Sequence, residues 1–77
     1  MRLGVTNMPI TMAEIDKSYK IVRISGTDAI HQHLKEIGFV DGEEIKVISN
    51  NAGNIIVQVK EARIALDAKM ANRIIVA

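Results

Sequence analysis

The apolar residues of this chain come in short β-branched bursts: Ile21-Val22, Ile55-Ile56-Val57, Ile64-Ala65-Leu66 and Ile74-Ile75-Val76. Gly, Asn, Asp or a charged residue closes each of the first three bursts within a few positions. Such bursts suit half-buried strands joined by tight turns and are too short for a bundle of helices. With 77 residues there is room for one core. There is no cysteine, so neither a disulfide nor a thiolate metal site can hold the fold together, and a reducing, cytoplasmic compartment is the natural setting. Stability has to come from packing.

No segment approaches the roughly 18 apolar residues that a membrane span requires. Residues 1–10 lack the continuous apolar stretch of a signal peptide, so 1–7 read as a loose leader and 8–77 as a single domain. Thr11 and Glu14 stand at capping-box spacing, with Ile10 and Ile15 as a hydrophobic staple, which predicts a short helical turn. Residues 20–25 form the first predicted strand. Thr27 or Asp28 then caps a helix to Ile37, with Ile30, Leu34 and Ile37 on its buried face and Gly38 as its stop. After the Asp41-Gly42 turn, 44–49 and 55–59 read as a hairpin whose Asn-rich loop is longer than the tightest turn. A strand over 63–66, a single turn capped by Asp67 and a strand over 73–76 complete the chain. Gly26, Gly38, Gly42 and Gly53 all fall where a turn needs a permissive backbone.

About five short strands with one inserted helix and short helical turns define a mainly β domain. An open sheet would leave one face wet and two edges bare, so closure into a small barrel is expected. Period-two alternation points Ile45, Val47, Val57, Val59, Ile64, Leu66, Ile74 and Val76 inward, leaving Ile48, Ile56 and Ile75 outside. Either the helix face and the turns at Met12 and Met70 cover those three, or they form a partner surface.

The candidates for chemistry are few. His31 and His33, the only imidazoles, lie about 200° apart around a helix and do not converge on one ion. The Ser25 and Ser49 hydroxyls sit in no nucleophile elbow, and the dispersed glycines form no phosphate cradle. No metal, cofactor or catalytic residue is therefore assigned. The formal charge of +1, with one Tyr and one Phe, also argues against a nucleic-acid groove, which draws on basic excess and stacking rings.

The run Leu34-Lys35-Glu36-Ile37-Gly38-Phe39-Val40-Asp41-Gly42-Glu43-Glu44-Ile45-Lys46-Val47 resembles the FeoA family of small proteins in bacterial ferrous iron transport. The resemblance extends to Pro9-Ile10-Thr11-Met12-Ala13, to Ile24-Ser25-Gly26-Thr27-Asp28, and to Ile64-Ala65-Leu66 with Met70 through Val76. Two positions depart from the family pattern: Asp16 replaces a glycine before the first strand, and Asn54 a proline after the hairpin glycine. Asp tolerates a left-handed turn, and losing a loop proline costs rigidity more than fold.

This resemblance implies an SH3-like barrel and a non-enzymatic accessory role in ferrous iron uptake. The implied partner is FeoB, a large permease with a cytoplasmic GTP-binding domain, met at the inner face of the membrane, and weak self-association is compatible with that role. A similar barrel ends metal-dependent repressors, and no helix-turn-helix precedes it here, so the free-standing form fits better. The alternatives are a barrel module for nucleic acid or the ribosome, or an accessory domain of a metal-dependent regulator. On the residues alone, the polar helix face around His31 and Lys35 and the neighbouring Phe39 are the expected partner contacts. The competing expectation for Phe39 is that it folds back to cap the barrel.

Overall fold

The computed structural model describes residues 7–51 and 53–77, so the expected leader lies, except for Asn7, outside the described residues. The elements are β1 (Met8–Pro9), a 3-10 turn (Ile10–Met12), β2 (Ser18–Ile24), α1 (Asp28–Ile37), β3 (Glu44–Asn51), β4 (Asn54–Val59), β5 (Ala62–Asp67), α2 (Ala68–Ala71) and β6 (Ile74–Val76). Among the described residues, one antiparallel sheet in the order β1-β6-β2-β3-β4-β5 holds all six strands. The sixth strand, β1, was not anticipated, because two residues, one of them a proline, carry no alternation to read.

β2 serves both halves of the sheet. Ser18, Tyr19 and Lys20 pair with β3, whereas Ile21, Arg23 and Ile24 pair with β6. The register slips between Ile21 and Arg23, and this bulge resets the alternation. Tyr19 and Ile21 point into the core; beyond the bulge Ile24 takes the inward place and Arg23 is turned out to solvent. A second slip between Val47 and Ser49 does the same in β3.

The helix caps follow the sequence closely. The Thr27 hydroxyl accepts the amide of Ile30 at 3.3 Å, and Asp67 Oδ1 accepts that of Met70 at 2.8 Å. The predicted capping box does not form: the 3-10 turn has no side-chain cap, and the Thr11 hydroxyl donates instead to Asn72 Oδ1 at 2.6 Å. The staple fails with it, since Ile10 is buried while Ile15 is exposed and bridges Val47 in parallel. A turn of three residues is too short to bring both side chains onto one face. The hairpin is also tighter than expected, because β3 and β4 stay paired out to Asn51 and Asn54.

A single core gathers Ile45, Val47, Val57, Val59, Leu66, Ile74 and Val76, as the alternation requires, with Ile64 half-buried at its margin. Added to them are Ile10, Tyr19, Ile21, Ile24, Leu34, Phe39 and Ile55. The expected cover over the outer isoleucines is incomplete: Ile56 stays 36% exposed, Ile37 38% and Met12 70%. The helix face is thus narrower than predicted, with Leu34 its one buried residue and Ile30 packed at the edge.

Candidate functional site

A groove of about 550 Å³ opens between β2, α1 and the loop that follows the helix. Asp28, His31, Gln32 and Lys35 occupy positions i, i+3, i+4 and i+7 of α1, so they stack on one face, and that face forms one wall. Arg23 and Ile24 of β2 contribute from the sheet, and Phe39, Val40 and Asp41 complete the lining.

The loop is held in place from both ends. At the helix terminus the Gly38 amide reaches the carbonyls of Leu34 and Lys35, both at 3.1 Å, and the Phe39 amide donates to Leu34 at 2.9 Å. Gly38 adopts φ 127°, outside the comfortable range of any other residue. Farther on, the Gly42 amide donates to the Ile21 carbonyl at 2.7 Å, and the Ile21 amide to the Glu43 carbonyl at 3.0 Å. These bonds fasten the loop along β2 and fix the distance between β2 and α1. Gly26, at the other end of the helix, combines φ 121° with crowding: a Cβ there would meet Ile30 at 3.3 Å and the Arg73 side chain at 3.5 Å.

Of the three predicted contacts, the structure gathers all in this groove but in different roles. His31 and Lys35 are exposed on its wall. Phe39 is 0% exposed, so it is a core residue beneath the groove and not a projecting aromatic. The closure of the helix turns the chain back over the barrel and carries the ring inward, as the competing expectation had it. His33 lies off this wall, and among the described residues no three His, Asp or Glu side chains converge on a point that could hold a metal.

The groove sets an apolar floor beneath a rim of mixed charge, Arg23 and Lys35 against Asp28 and Asp41, with the His31 imidazole on the same wall as Lys35. Among the described residues the ion pairs are Lys17–Glu14 and Lys60–Glu43, so the rim charges do not neutralise one another. They remain available to a partner. Arg23 and Asp41 were missed because a bulge and a tertiary loop, not sequence spacing, bring them to the helix. The i, i+3, i+4, i+7 spacing of Asp28 with His31, Gln32 and Lys35 was the one legible signal.

A model of the FeoA domain matches residues 8–77. Among solved structures, an iron uptake regulatory protein, FeoA, superposes with a TM-score of 0.85 at 26% identity, covering 92% of this chain and 96% of that one. The zinc-complexed FeoA of Stenotrophomonas maltophilia, described as a prokaryotic SH3 domain protein, gives 0.77 at 28% identity and covers 91% and 89%. A manganese-dependent transcriptional repressor shares the fold, with a TM-score of 0.84 at 20% identity; 92% of this chain covers only 41% of that one. No curated protein matches the sequence.

Proposed function

The chain belongs to the FeoA family, with an SH3-like fold, and from that membership we propose that it is a non-enzymatic accessory protein of ferrous iron uptake. It docks on the cytoplasmic part of a FeoB-type permease and modulates it by contact. No helix among the described residues is long and apolar enough to cross a membrane, so in this reading the protein works in the cytoplasm and reaches the bilayer through its partner.

The observation that carries the reading is the groove under α1. Its floor is apolar, its rim charges are not paired with one another, and its size suits a few side chains of an incoming segment. A contact of that size belongs to the small, transient class, in which unpaired rim charges guide association and fix register. Nothing in the groove forms a nucleophile with a base, which favours binding over catalysis.

Co-purification of the permease's cytoplasmic domain with the tagged protein tests this. Retention that weakens as ionic strength rises is the expected result. No retention at low salt, with or without guanine nucleotide, overturns it.

A further inference from the structure

We propose that β5 is a self-association edge, pairing antiparallel with β5 of a second copy about a two-fold axis at Ala65. Among the described residues the sheet ends at β5, whose one strand partner is β4. The opposite end of the sheet is blunted: β1 is two residues long and ends in Pro9. β5 has six residues, no proline and no break in register with β4.

Its hydrogen-bond phase is known at both ends. Only Lys60 and Glu61 separate the paired Val59 and Ala62, and at the far end the Ala68 amide donates to the Gly53 carbonyl at 3.2 Å. Ala62, Ile64, Leu66 and Ala68 therefore aim their backbone groups at β4 and the hairpin loop, whereas Arg63, Ala65 and Asp67 aim theirs away from the sheet. Arg63 and Ala65 are exposed residues.

Charge then selects the occupant and the register. With the axis at Ala65, Arg63 of each copy faces Asp67 of the other, and Ile64 faces Leu66 on the inner side, covering a half-buried residue. An axis one residue earlier sets Asp67 opposite Glu61, and two earlier sets Arg63 opposite Arg63. One residue later leaves Asp67 opposite Ala65 and Arg63 beside Lys69, and two later sets Asp67 opposite Asp67. A strand of this sequence complements itself in one register. Asp67 can take part without leaving its cap, since Oδ1 holds the Met70 amide and Oδ2 remains for the guanidinium.

Sedimentation equilibrium on the full chain, from micromolar to about 1 mM, is the test. The expected wild-type mass rises from 8.5 kDa towards twice that. Ala65→Pro removes an amide that points away from β4, so it should stay at 8.5 kDa with an unchanged melting temperature. Arg63→Glu should also stay monomeric, and adding Asp67→Asn, which keeps the cap, should restore part of the association. If Ala65→Pro unfolds, Arg63→Glu with its partial rescue decides. A wild type that remains monomeric throughout leaves the edge to a strand of some other protein and overturns the proposal. Association that survives both Ala65→Pro and Arg63→Glu places the contact elsewhere and also overturns it.

Discussion

Phe39 donates its amide to the Leu34 carbonyl at 2.9 Å, and both side chains are fully buried. One backbone bond thus ends the helix and commits the next side chain to the core. Leu34 is the only buried residue of α1, so this pair is what ties the helix to the barrel. Phe39→Ala should cost about 3–5 kcal/mol, a large share of the stability of so small a domain. Urea titration by circular dichroism measures it, and a loss below about 1 kcal/mol would mean that the ring is not part of the core.

The inward register of the central hairpin is set by Val57, fully buried, against its neighbour Ile56. Val57→Ala should destabilise by about 2–3 kcal/mol and Ile56→Ala by less than about 1 kcal/mol. Thermal melts of the two variants decide the register, since a reversed order would put the other face of β4 inside.

The positive-φ glycines are not equivalent. Gly26 is crowded by Ile30 and Arg73, whereas a Cβ at Gly38, Gly42 or Gly53 meets nothing within 4 Å. Gly26→Ala should therefore cost more than Gly53→Ala, by about 1 kcal/mol beyond the shared backbone strain. Gly38→Val should also exceed Gly53→Val, because Gly38 carries the helix terminus. Comparison of melting midpoints checks both rankings.

Asp16 adopts φ 68° at the place where the family pattern has glycine, and its amide donates to the Val47 carbonyl at 2.8 Å. Asp16→Val should lose about 1–2 kcal/mol, while Asp16→Gly should be near neutral. Equal losses in denaturant titrations would show that the Asp side chain, not the backbone, matters there.

On the groove wall, Lys35→Glu and His31→Glu should each weaken capture of the permease's cytoplasmic domain severalfold without changing the melt. His33→Glu, off the wall, serves as the control. Binding lost equally in all three variants would point to net charge and not to the groove.

Much was settled locally. Thr27, Asp67 and Gly38 mark the helix ends through bonds that span four or five residues, and the alternation of Ile45 with Val47 and of Val57 with Val59 carries the core register. Such features are legible because the atoms concerned are neighbours in the chain. The resemblance carried the barrel and the family, and even the left-handed turn at Asp16. What the tertiary structure alone decided came from contacts between distant segments. Thr11 abandons its own turn for Asn72, sixty-one residues away. The bulge after Ile21 shifts β2 by one residue so that Arg23, not Ile24, is turned out to solvent. A bulge is a compromise between two paired strands, and nothing in one strand's sequence records it. Phe39 was undecided for the same reason: whether an aromatic after a helix stop projects or folds inward depends on whether the barrel offers it a place, and the core around Leu34 does.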